Sequence, residues 1–168
     1  MILAIDTATR WTSIAIHDGR SVLAEHGWYG RNTQTQELSP ALQTLFRQAS
    51  IQASELTAIA VAIGPGSYTG LRIGLGVAKG LAMPHSIPLI GIGTLDILVA
   101  AIPPTNTDLI GVIEAGRKRI IATRYAWENG RWQPQEEKPQ IATWEELSEQ
   151  INSPTDRKST RLNSSHNA

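Results

Sequence analysis

The chain of 168 residues contains no cysteine. That excludes disulfides, thiolate metal sites and a cysteine nucleophile. It has no surplus of either charge, since 15 Lys plus Arg balance 15 Asp plus Glu. A free-standing nucleic-acid binder usually carries a basic excess, so the balance argues against that class while leaving room for a local basic patch. No run reaches the roughly 18 apolar residues that a membrane helix requires. The opening MILAIDTATRW lacks the basic region and apolar stretch of a secretory signal, so a cytoplasmic protein is expected. What is present is unremarkable in composition: 41% apolar and 18% charged residues, enough for one compact domain or one domain and part of another.

The pattern along the chain is mixed α/β. ILAID (2–6), the alternating WTSIAIH (11–17) and RSVLAEHGW (20–28) read as three strands, with Asp18-Gly19 as a hairpin turn. A polar loop at 30–35 precedes a helix predicted over about Leu38–Ala49, with Ser39 as N-cap and Pro40 as the first helical position. AIAVAIG (58–64) is apolar throughout, the mark of a strand buried on both faces, and PLIGIG (88–93) reads the same way. Between them lie a glycine-rich loop and a helix over 70–83 that Pro84 stops. A short helix at 95–102 leads to Pro103-Pro104, a linker signal. Strands at 108–116 and 118–127 follow, then a turn at 128–131 and a last helix capped by Thr143 with Glu146 three residues on. The expected division is a first lobe at 1–102, a linker at 103–107, a partial second lobe at 108–152 and a disordered tail at 153–168. That tail is polar and changes character abruptly, which reads as non-native sequence.

The segment GPGSYTGLRIGLGVAKG (64–80) invites a phosphate-cradle reading, because a strand, a glycine loop and a helix N-terminus together bind anions. Spacing defeats it. A P-loop needs Lys after its second glycine, and Leu71 follows Gly70; a dinucleotide fingerprint needs a third glycine where Lys79 stands. The remaining reading is steric. Gly70 and Gly74, and again Gly76 and Gly80, recur at helical i, i+4 spacing, and each helical glycine costs about 0.8–1 kcal/mol against alanine. Such a helix lets a neighbouring backbone come close, and the neighbour is either the protein's own sheet or a second chain. The four histidines (His17, His26, His85, His166) include no pair at i, i+4 that could share a metal ion, so no metal site is expected.

The same segment, IAVAIGPGSYTGLRIGLGVAKGLA, resembles the signature of the TsaB (YeaZ) family, usually G-P-G-S-[FY]-T-G-L-R-I-G. ILAIDTAT, IPLIGIGTLDILVAA and VIEAGRKRIIATRY are similar to other elements of that family, so the likeness covers roughly residues 1–127. The resemblance implies an actin-like (ASKHA, ribonuclease H-like) α/β fold of mixed sheets flanked by helices, with the second lobe here cut short. It implies a non-catalytic scaffold or dimerisation subunit in making N6-threonylcarbamoyladenosine at adenosine 37 of tRNA. The partners implied are TsaD, which carries the transfer chemistry, then TsaE, with a homodimer as another use of the surface and tRNA met indirectly through the complex. No cofactor is implied. The residues expected at the partner interface are Tyr68, Gly70, Arg72, Gly74, Gly76, Lys79 and Gly80. Asp6 and Thr7 end the first strand, where actin-like ATPases hold a metal-linked carboxylate; they read either as a vestigial nucleotide site or as a simple strand-end cap. Gln34 stands where many family members keep a histidine, and Glu114 where many keep an aspartate. The alternative reading is an actin-like phosphotransferase, ATPase or peptidase-like enzyme.

Overall fold

A computed structural model describes residues 1–30 and 34–152. The proposed tail at 153–168 therefore lies outside the described residues. Two compact units are present, one spanning Met1–Ile97 and the other beginning at Leu98.

The first unit holds a five-stranded sheet. β1 (Ile2–Asp6), β2 (Trp11–His17) and β3 (Val22–Tyr29) form an antiparallel meander; β4 (Ala58–Ala62) and β5 (Leu89–Ile92) add parallel strands on the other side of β1, giving the order β3-β2-β1-β4-β5. The β2–β3 turn forms as its Asp-Gly pair requires. The Asp18 carboxylate accepts the amides of Arg20 and Ser21 at 2.7 Å each, and Gly19 takes φ +98°. α1 (Gln34–Ala49) packs on β2 and β3, and α2 (Tyr68–Ala82) on β1, β4 and β5. Both cover the face that carries Leu3, Ile5, Ile14, Ile16, Ile59 and Val61, and Leu38, Leu42, Leu45, Ala78 and Ala82 complete that core from the helices. α3 (Thr94–Ala100) follows β5 and runs across the boundary between the units.

Three expectations are corrected. α1 begins at Gln34, a full turn before Leu38, with Pro40 inside it rather than at its start. The extra turn is held because the Trp28 indole donates to Glu37 at 2.8 Å and Leu38 is fully buried. β4 is enclosed as expected, but β5 is not: Ile90 and Ile92 are exposed because β5 is the edge of the sheet. α2 starts at Tyr68 and ends at Ala82, and a single 3₁₀ turn, Met83–His85, takes up Pro84.

In the second unit β6 (Leu109–Glu114) pairs antiparallel with the long β7 (Arg119–Glu128). β8 (Arg131–Pro134) and β9 (Gln140–Thr143) also pair with β7, one with each of its ends. Ile120, Ala122, Tyr125 and Trp132 are buried here, and the Trp132 indole donates to the Ile102 carbonyl at 2.9 Å. α4 (Trp144–Asn152) opens with the expected capping box: the Thr143 amide donates to Glu146 at 2.7 Å and the Glu146 amide to the Thr143 hydroxyl at 3.2 Å.

Candidate functional site

The glycine loop joins β4 to α2 and lies against the end of β1. Ser67 has extended backbone angles and caps α2, its hydroxyl accepting the Gly70 amide at 3.2 Å. The Ser67 amide donates to the Ala8 carbonyl at 2.6 Å, and the Leu71 amide to the Ser67 carbonyl at 2.9 Å. A phosphate cradle works by offering such amides to an anion. Here the amides of Ser67, Gly70 and Leu71 are already used to fasten the loop to β1 and to start the helix. The Thr94 amide binds the Gly64 carbonyl at 2.8 Å, so the other end of the loop is tied to the start of α3.

The four helical glycines separate into two kinds. A Cβ on Gly70 would overlap the Thr7 carbonyl oxygen, and one on Gly74 would overlap the Thr7 hydroxyl. Both are buried, and the Thr7 hydroxyl, itself 1% exposed, donates to the Gly70 carbonyl at 2.7 Å. α2 is thus seated on β1 at a distance only glycine permits. A Cβ on Gly76 or Gly80 would meet nothing within 4 Å, and both residues are exposed. This packing divides the seven residues expected at a partner surface. Gly70 and Gly74 face inward, for a reason internal to the fold. Tyr68, Arg72, Gly76, Lys79 and Gly80 remain on the outer side of α2. Tyr68 is 74% exposed, and the Arg72 guanidinium lies over its ring, 5.4 Å from the centroid. Met83, 78% exposed, extends the same side and carries no sequence signal beyond its spacing from Lys79 and Gly80.

Asp6 and Thr7 are brought beside this loop, but to different ends. Thr7 is the packing post just described. The Asp6 carboxylate accepts the Ala8 amide at 2.9 Å, a strand-end cap. Burial raises its pKa above the usual carboxylate value, and the hydrogen bond from Ala8 opposes that shift. A carboxyl whose folded pKa lies above its unfolded value favours the fold when protonated, and that contribution is lost as pH rises through the folded value. Asp6→Asn keeps an oxygen for the Ala8 amide and removes the charge. Its melting temperature, relative to the parent, is expected to rise from acid to neutral pH; a constant difference across that range would show that Asp6 carries no burial penalty. Among the described residues no three His, Asp or Glu side chains are grouped to hold a metal ion. No helix among the described residues is long and apolar enough to cross a membrane. In the second unit Arg117 and Lys118 sit in the β6–β7 turn with positive φ.

The meander followed by parallel strands, with helices on the sheet, defines an actin-like (ASKHA) α/β protein. A family model described as TsaD, tRNA N6-adenosine threonylcarbamoyltransferase, matches residues 31–154. The tRNA threonylcarbamoyladenosine biosynthesis protein TsaB of Escherichia coli is 35% identical over 138 residues, covering 80% of this chain and 59% of that protein. TsaB of Bacillus subtilis is 33% identical over 129 residues, covering 77% and 56%. The structure of YeaZ from Pseudomonas aeruginosa superposes with a TM-score of 0.74 at 28% identity, over 83% of this chain and 66% of that one. The chain belongs to the TsaB (YeaZ) family. It spans under two thirds of the length of these relatives.

Proposed function

We propose that this chain is a non-catalytic, cytoplasmic docking subunit in tRNA threonylcarbamoyladenosine biosynthesis, and that the outer side of α2 is its partner surface. The observation that carries the reading is the placement of Gly76 and Gly80. Two glycines on the exposed side of one helix cost about 2 kcal/mol in all against alanine, and nothing within the described residues uses the space they leave open. A second backbone seated on that stripe does use it. Tyr68 and Arg72 at one end and Met83 at the other supply the aromatic, cationic and thioether side chains that anchor interfaces. The family resemblance names the occupant as a TsaD-type transferase, with TsaE joining the complex and a second copy of this chain as the competing occupant.

The enzyme alternative draws less support, because the loop lacks the spacing of a P-loop or dinucleotide motif and the amides of Ser67, Gly70 and Leu71 are engaged within the fold. The test is size exclusion with light scattering, with and without a TsaD protein. A one-to-one complex, without threonylcarbamoyl transfer by this chain alone, is the expected result. Transfer or ATP hydrolysis that persists through purification and disappears in Asp6→Asn would overturn the reading.

A further inference from the structure

Trp11 opens β2 and Tyr29 closes β3, and the strand register places them directly opposite each other. They lie on the sheet face turned away from α1 and α2, since the alternate residues Thr12, Ile14 and Ile16 point into the core. Trp11 is 56% and Tyr29 52% exposed; their ring centroids are 6.5 Å apart, tilted by 51°. The next pair on this face is Ser13 opposite Gly27, and the indole lies across that glycine, where a Cβ would sit 3.4 Å from the Trp11 nitrogen. Arg10, next in sequence to Trp11, donates to the Tyr29 hydroxyl at 3.4 Å.

The ground around the rings selects among occupants. Along β2 and β3 on this face lie Ser13, Gly27, Ala15 and Glu25, all small or polar, while the exposed isoleucines of the same face, Ile2, Ile90 and Ile92, sit at the start of β1 and on the far edge strand β5. An interface core between proteins needs a broader apolar area than two rings. Two exposed rings with a guanidinium beside them suit an unpaired nucleotide: a base stacks on the rings and its phosphate pairs with the arginine. The carboxylates of this face, Asp6 and Glu25, lie further along the strands than the rings, whereas Arg10 lies at their outer end, so the phosphate chain would run on the Arg10 side. We propose that Arg10, Trp11 and Tyr29 form a stacking platform for single-stranded RNA, separate from the α2 surface. The choice of RNA over DNA rests on the role in tRNA modification proposed above.

The test is fluorescence anisotropy of a labelled short oligoadenylate and of an RNA duplex of equal length, titrated with the chain. The single strand is expected to bind in preference to the duplex. Trp11→Ala should weaken it about tenfold, Trp11→Phe should keep most of the affinity, and Arg10→Ala should lower the salt dependence by about one phosphate contact. Absence of binding, equal binding of duplex and single strand, or an unchanged affinity in Trp11→Ala would overturn the proposal. So would a Trp11→Ala variant that loses a protein partner and keeps its RNA affinity, which would assign the rings to protein docking. Should Trp11→Ala fail to fold by circular dichroism, Trp11→Phe and Arg10→Ala decide between the same outcomes. Variants on α2 that dissolve the partner complex test the docking reading separately, so either proposal can fail alone.

Discussion

Gly70→Ala is expected to destabilise the first unit by about 2 kcal/mol or more, while Gly76→Ala and Gly80→Ala each stabilise it by roughly 0.5–1 kcal/mol. The same substitution in the same helix changes sign because the two pairs face opposite ways. At position 70 a methyl group would overlap the backbone oxygen of Thr7, which cannot turn aside. Overpacking of that kind costs about 3 kcal/mol at its upper range, and the better helix propensity of alanine returns about 1 kcal/mol. Gly74→Ala should be intermediate. There the obstacle is the Thr7 hydroxyl, which can rotate, at the loss of its hydrogen bond to the Gly70 carbonyl, worth about 1 kcal/mol. At 76 and 80 the methyl enters open space and only the helix propensity counts. Urea denaturation followed by circular dichroism gives the order directly. A neutral Gly70→Ala would mean that α2 is not seated on Thr7, and the division of the glycines would fall with it.

That division marks where reading the sequence stops. The i, i+4 spacing of the glycines is plain in the chain, and so is the expectation that some backbone comes close. Which pair faces which neighbour depends on the phase of the helix against the sheet. Ser67 sets that phase by starting α2 at Tyr68, and Thr7 receives it, 63 residues from Gly70. No local signal carries that information. The same holds for β5, whose apolar run matches that of β4; only the strand order leaves its isoleucines bare at an edge. Elements with local causes were legible: the Asp18-Gly19 turn and the capping box of Thr143 and Glu146 are both realised. The start of α1 was not, because the turn that precedes Leu38 is held by Trp28 from β3. The Trp11–Tyr29 pair was hidden for a sharper reason. A register shift between Ile16 and His17 intervenes, so counting back from the His17–Val22 pair beside the turn would set Trp11 opposite Trp28, on the wrong face.

Gly76→Leu is expected to leave the monomer folded and to weaken its association with the partner at least about 30-fold, equivalent to ~2 kcal/mol. In the proposed docking reading a partner backbone comes close at that glycine, and a leucine side chain would hold the two backbones apart. Because leucine propagates helix better than glycine, loss of association cannot be ascribed to a weakened helix. Gly80→Leu, one turn on, should act in the same direction, whereas Arg72→Glu and Lys79→Glu should act mainly through the association rate and its salt dependence, as charges at a rim do. Light scattering across a concentration series measures the first effect and stopped-flow mixing the second. If Gly76→Leu and Gly80→Leu both bind the partner with parental affinity, the open stripe has no neighbour and the docking reading loses its physical basis, whatever the family likeness suggests. If only the charge reversals weaken binding, the partner rests on the charged side chains of α2, and the proposed close approach of backbones is wrong. The contrast with Gly70 makes the outcome interpretable. One pair of glycines should govern folding and the other assembly, so each set of variants is the control for the other.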